Sequence, residues 1–364
     1  MRTAADLRLL TRTERATLVT AVVLTAAAGL VMAAGASEVL RFVVAGLALA
    51  ALAALIGSAI EQVGERFGPR ATGLLQSTLG NLPELFVGIF ALQKGLTNVV
   101  QAALIGSVLA NAVLVLGCAF IAGGLRHGTQ HFDPEEPRLH ASLLVLVVAA
   151  LLVPTLADRL HTPAAAHISA LSEACAIALL VVYAASIPFF LRGQVIAPPP
   201  EDVPDESDRA AHWPLRLSVT LLAVGSLGAA LASNWFVDAL QPATKSLGLS
   251  ETFTGLVVVA IASNAVEHVV GIRFALKAKP EYAISTTLNS PLQVALLLTP
   301  VLVLASRVVG PTQLTLVFPP LMVAALAIAT VVVIVMIYDG EYTWIEGVAL
   351  ISLYFMVAAA FWWG

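Results

Sequence analysis

Two ten-residue segments of this chain, GNLPELFVGI at 80–89 and SNAVEHVVGI at 263–272, superpose at a constant offset of 183 residues. The overlay sets Asn81 on Asn264, Glu84 on Glu267, and Val87, Gly88 and Ile89 on Val270, Gly271 and Ile272. Both segments lie inside long apolar runs, so each brings a carboxylate toward the middle of a bilayer span. A charged group at that depth costs about 2.5–3.5 kcal/mol on insertion scales. Two at equivalent positions call for a compensating role, most simply a shared cation. The match also constrains the fold, because an internally duplicated chain must build two related halves.

Composition agrees with a membrane setting. Hydrophobic residues make up 59% of the 364 and charged residues 12%, and the mean hydropathy is +0.91, which exceeds what a water-soluble fold tolerates. The formal net charge of −4 is scattered over short loops, which excludes the basic patch that nucleic acid requires. Cys118 and Cys175 both fall inside apolar spans and read as small packing residues, not as a disulfide or a metal pair. The first apolar stretch follows Arg2, Arg8, Arg12 and Arg15 without a small-residue cleavage site. It therefore reads as a first helix and not as a signal peptide.

Hydropathy over windows of about 19 residues predicts an all-α polytopic membrane protein with about eleven transmembrane helices. Their expected limits are 15–34, 39–60, 71–93, 98–123, 141–157, 165–191, 213–236, 252–277, 282–306, 313–337 and 344–363. Of the 19 Lys and Arg, Arg41, Lys94, Arg159, Lys245 and Arg307 fall on one side of such a topology and the remaining fourteen on the other. That asymmetry places the N-terminus inside and the C-terminus outside. The two motifs sit on the third and eighth spans, an odd number apart, so they cross the membrane in opposite directions. This is the signature of an inverted repeat. The expected organisation is an N-terminal segment with an extra helix (1–37), a first five-helix repeat (38–192), a polar acidic linker (193–212) and a second five-helix repeat (213–364). APPPEDVPDESD at 197–208, rich in proline and like charge, reads as a solvated tether. HFDPEEPR at 131–138 reads likewise.

The chemistry follows from what surrounds the carboxylates. Apolar sequence flanks Glu84 and Glu267 on both sides, so neither can snorkel to an interface and both should face the bundle interior. Pro83, Gly80 and Gly88 weaken the helix around the first carboxylate, and broken helices at that depth offer carbonyl oxygens to cations. Ser263 and Val266 replace Gly80 and Pro83 in the second copy, which predicts a milder break there. The span after each motif adds a second polar cluster: Gln101, Gly106, Ser107 and Asn111, then Asn289, Ser290, Pro291 and Gln293. Ser107 and Ser290 again match at offset 183. Carboxylates with amide, hydroxyl and carbonyl oxygens, and no Cys or His cluster, make a hard-cation site that fits Ca²⁺ better than Mg²⁺. Two glutamates balance its double charge. Once the ion leaves, mutual repulsion and the lack of solvent favour proton uptake. His268 is open to two readings, a proton shuttle or a structural histidine bound to another helix. Glu61, Glu65, Glu173 and Glu346 read as solvated helix ends.

At these residues the chain resembles the cation/proton exchanger branch of the calcium/cation antiporter superfamily. GNLPEL at 80–85, VVQAALIGSVLAN at 99–111, LSETFTGLVV at 249–258 and SNAVEH at 263–268 carry the resemblance, which extends over spans two to eleven. It implies a Ca²⁺/H⁺ antiporter in which Glu84 and Glu267 bind both ions and Asn81, Asn264, Ser107, Asn111, Ser290 and Gln293 line the site. Ca²⁺ and H⁺ would be cargo, with no cofactor; other divalent cations and homo-oligomerisation stay open. A bacterial-type cytoplasmic membrane is the expected location. The chain departs from the family pattern at Ser263 and at NSPLQ (289–293), which bears on cation selectivity. A Na⁺/Ca²⁺ or monovalent cation/H⁺ exchanger of the same fold is the alternative. An intramembrane enzyme finds no HExxH or GxSxG partner for the glutamates, and a passive channel finds no continuous polar pore.

Overall fold

Helix signals and helices coincide from the first turn. Thr11 Oγ1 accepts from the Glu14 backbone N–H at 3.2 Å while Glu14 Oε2 accepts from the Thr11 N–H at 2.7 Å, a reciprocal cap that opens α1 (Arg12–Ala33). This computed structural model describes residues 10–67, 75, 79–193 and 213–363. After α1 come α2 (Glu38–Phe67), α3 (Leu82–Gln93), α4 (Thr97–His127), α5 (Glu135–Arg159), α6 (Ile168–Gly193) and α7 (Leu215–Leu247). They are followed by α8a (Glu251–Ser263), α8b (Ala265–Leu276), α9 (Pro280–Val309), α10 (Pro320–Ile337) and α11 (Trp344–Trp362). The strands β1 (Gln130–His131) and β2 (Glu341–Tyr342) form one short antiparallel ladder.

Among the described residues, 9 unbroken helices are long and apolar enough to cross a membrane. The protein is an integral, multi-pass membrane protein. The eighth expected span is the pair α8a and α8b, bent by 63°. The third is described as a helix of 12 residues, α3, shorter than a crossing. The opening of that span, residues 1–9 and the acidic tract at 201–208 lie outside the described residues.

The chain packs as two units, and each draws on both halves of the sequence. The first comprises Met1–Val87 and Ala184–Ala243. Within it Phe42 of α2 stacks on Phe236 of α7 with ring centroids 4.6 Å apart. Gln62 Oε1 accepts from the Trp213 N–H at 2.9 Å, and Arg66 donates to the Trp213 carbonyl at 2.7 Å. These bonds fix the entry of α7, where Leu10, Ala59, Trp213, Leu217 and Leu221 form a buried cluster.

The second unit comprises Gly88–Tyr183 and Thr244–Gly364. Its centre is α4, 83% buried over its most apolar stretch. A Cβ added to Gly106 would overlap the Leu256 carbonyl, and one on Gly255 would lie 2.8 Å from the Val99 carbonyl. Glycine at both positions lets α4 and α8a meet backbone to backbone.

The two ends of α4 are closed differently. At the His127 end, Phe120 stacks on Tyr342 with centroids 4.0 Å apart, the Phe132 N–H donates to Gly340 O at 2.8 Å, and His131 lies 3.4 Å from Glu341. The Tyr342 hydroxyl has no hydrogen-bond partner, and burial pushes that phenol up to about 12. At the Thr97 end an extended strap runs from Leu314 to Phe318. Its alternate N–H groups, on Leu314, Leu316 and Phe318, donate to the hydroxyls of Ser306, Ser172 and Thr155 at 2.9, 2.9 and 3.1 Å. Gln101 Nε2 donates to the intervening carbonyls of Thr315 and Val317 at 3.1 and 2.8 Å. Side chains thus supply the partners that regular structure would otherwise provide.

Candidate cation site

Four of the residues singled out in the sequence, Ser107, Asn111, Asn264 and Ser290, form one hydrogen-bonded network in the second unit. Asn264 Oδ1 accepts from Ser107 Oγ at 3.2 Å and from Asn111 Nδ2 at 3.0 Å. Its Nδ2 donates to Ala260 O at 2.9 Å and to Ser263 Oγ at 3.1 Å. Asn111 Nδ2 also reaches Ser107 O at 3.1 Å and Ser290 Oγ at 3.3 Å. A carbonyl only accepts, so the contact with Ser107 O fixes the orientation of the Asn111 amide. Its Oδ1 is left buried and without a hydrogen-bond partner.

Backbone geometry explains how α4, α8 and α9 bring these groups together. Asn264 sits at the break between α8a and α8b with φ −103° and ψ 16°, outside the helical region. The helix therefore restarts one turn before Glu267, which lies in the first turn of α8b. α8a and α8b meet at a bend of 63°; the Asn264 N–H still reaches Ala260 O at 3.3 Å there, and the side-chain Nδ2 adds a second bond to the same carbonyl. The stretch leading into the first copy's break, 76–78, lies outside the described residues. α4 contains a π-helical segment, Ala110–Val115, and α9 another, Val294–Leu298. The offset of 183 carries 110–115 onto 293–298, so the duplication extends to a backbone irregularity. Such bulges widen a turn and favour functional positions.

Glu267 is half-buried, yet its Oε2 is sealed from solvent and lacks a hydrogen-bond partner. Two oxygen acceptors, Glu267 Oε2 and Asn111 Oδ1, thus stand unsatisfied in the same unit as the network. Unmade acceptors of this kind suit a hard cation or a proton. Gln293 is buried at the end of the regular part of α9. His268 is half-buried with its Nε2 unpartnered, and its N–H donates to Asn264 O at 3.2 Å. Asn81 and Glu84 belong to the first unit, where both are buried. The Asn81 carbonyl accepts from the Leu85 N–H at 3.0 Å, starting α3.

Two expectations need correction. Gln101 does not join Ser107 and Asn111: it sits near the Thr97 end of α4 and holds the strap. Glu173 is not a solvated helix end. Its Oε1 lies 2.5 Å from Arg307 Nη2 and accepts from Gln313 Nε2 at 2.7 Å, linking α6, α9 and the strap. Glu346 caps α11 through the Thr343 N–H at 2.6 Å, and the Glu65 side chain lies outside the described residues. Ser263 went unassigned as a partner in the sequence; only its adjacency to Asn264 hinted at one.

Comparison with known proteins decides the family. The sodium/calcium exchanger protein family matches residues 37–192 and again 217–363, once in each half of the duplication. The chain belongs to that family. A Ca²⁺/H⁺ antiporter of Synechocystis sp. is 36% identical over 347 residues, covering 90% of this chain and 92% of its own. The Ca²⁺/H⁺ antiporter ChaA of Bacillus subtilis is 33% identical over 331 residues, covering 88% and 91%. The solved structure of native YfkE superposes with a TM-score of 0.80 at 29% identity, over 95% of this chain and 99% of its own. The family is one of transporters and not of enzymes, and these relatives belong to the cation/proton exchanger branch that the motifs resemble.

Proposed function

We propose that the protein exchanges Ca²⁺ for H⁺ by alternating access, with Glu84 and Glu267 each taking cation and proton in turn. The observation that carries this reading is the amide-centred network of Ser107, Asn111, Asn264 and Ser290, with unsatisfied oxygens on Asn111 and Glu267. The names of the relatives supply the cargo. Asn81, Asn264, Ser107, Asn111, Ser290 and Gln293 are the proposed neutral oxygen donors. Carboxylates neutralise the ion and neutral oxygens complete a shell of six to eight. After Ca²⁺ departs, a bare carboxylate in this dry setting is too costly to carry across the bilayer. Protonation removes that charge and couples the two flows. His268, next to Glu267, would relay the proton.

The same proposal takes 38–192 and 213–364 as inverted repeats joined by the linker at 193–212, with the N-terminus inside and the C-terminus outside a cytoplasmic membrane. Uptake of radiolabelled Ca²⁺ into proteoliposomes under an imposed pH gradient, with and without Na⁺, tests the function. The expected result is Na⁺-independent uptake that Glu84→Gln and Glu267→Gln each abolish. Uptake that requires Na⁺, or that survives both substitutions, refutes it.

A further inference from the structure

At the Thr97 end of the second unit, a cavity of about 420 Å³ opens between the start of α4, the end of α5, the start of α6 and the strap. Its polar walls include Asn98, Gln101, Gln313 and Thr315, and a single ionisable group lines it, Asp158. The nearby Glu173 is already matched by Arg307 and Gln313. Asp158 is different: it is half-buried, and among the described residues its carboxylate has neither ion pair nor hydrogen bond. It also sits at the C-terminal end of α5, where the helix dipole adds negative potential. Gln101 supplies the second observation. This side chain is 7% exposed and lines the cavity. With its Nε2 committed to two strap carbonyls, its Oε1 has no partner among the described residues.

A neutral oxygen on a buried side chain, an unmatched carboxylate and no basic residue in the lining select for positive charge. Six to eight waters at about 30 Å³ each occupy roughly 180–240 Å³, so the cavity accommodates a divalent cation with its hydration shell.

We propose that the cavity is a subsite for a hydrated divalent cation, held by the Asp158 carboxylate and Gln101 Oε1, apart from the network around Asn264. It retains water, and it concentrates the ion on one face of the membrane. The subsite rests on the exchange reading only for its cargo.

Two measurements test it. Mn²⁺ binding to the purified protein, read by electron paramagnetic resonance, requires no transport. The Glu267→Gln protein should keep a class of weak sites that disappears when Asp158→Asn is added and returns with Asp158→Glu. Equal Mn²⁺ occupancy with and without Asp158→Asn overturns the subsite, whatever the protein transports. In vesicles of defined orientation, Asp158→Asn should raise the half-saturating Ca²⁺ about three- to tenfold at low ionic strength, only for Ca²⁺ presented on the Thr97 face. The difference should shrink in high salt. Glu341→Gln, at the opposite end, should leave that value unchanged. An Asp158→Asn value equal to native on both faces overturns the proposal. Loss of pH-driven uptake in the native protein would refute the exchange reading but leave the Mn²⁺ result to decide the subsite.

Discussion

Replacing Asn264 by alanine should destabilise the protein by about 2–3 kcal/mol, and the network itself sets that magnitude. The side chain makes four hydrogen bonds, two through Oδ1 and two through Nδ2. Inside membrane proteins such bonds average about 0.6 kcal/mol each, which sums to about 2.4 kcal/mol. Orphaned partners add little. Asn111 Nδ2 keeps Ser107 O and Ser290 Oγ, and Ser263 Oγ keeps Ala260 O at 3.4 Å. Only the Ser107 hydroxyl loses its acceptor. Ser107→Ala breaks one bond and should cost about 0.6 kcal/mol, with a coupling of similar size in the double-mutant cycle. Equilibrium unfolding by SDS in mixed micelles, followed by tryptophan fluorescence, reads each value. A cost for Asn264→Ala below about 0.5 kcal/mol, or one no larger than that of Ser107→Ala, would refute the hub.

Two further predictions concern the closures at the ends of α4. Thr155→Val should cost about 1–3 kcal/mol, because it strands the buried Phe318 N–H, and hydrogen exchange at Leu316 and Phe318 should accelerate. Tyr342 carries a phenol raised by burial from 10.0 to about 12. Folding therefore favours its protonated form, and the stability it contributes is present below pH 10 and lost as the pH climbs toward 12. Tyr342→Phe should keep the stack on Phe120, melt no lower than the native protein at neutral pH, and flatten that alkaline decline.

Much of the site was legible because its residues obey the duplication. The offset of 183 singled out Asn264 and Ser107 with Ser290, and the polar cluster on α4 added Asn111. All four meet. The geometry that joins them was less visible. A π segment has no residue code: Ala110–Val115 holds Asn111 among apolar residues, whereas Val294–Leu298 is apolar throughout. No proline marks the break at Asn264, whose side-chain amide bonds Ala260 O beside the backbone N–H that also does. Gln101 was grouped with Ser107 although six residues of helix separate them by about 9 Å along the axis and 240° around it. The strap was hidden for another reason: its partners Thr155, Ser172 and Ser306 come from three different helices, and no local pattern links them.

The pairing of Gln130 with Tyr342 joins positions more than two hundred residues apart, and neither unit is contained in one half of the chain. This has a consequence for biogenesis. A ribosome that has released the first half has completed no finished body, since Phe120 still awaits Tyr342 and Ser107 still awaits Asn264. Quality control in the membrane must tolerate that unfinished half until the last hairpin emerges. Fragments cut at the central tether should accumulate only when produced together. Each half of the chain thus reaches its packed state only with segments that the other half supplies.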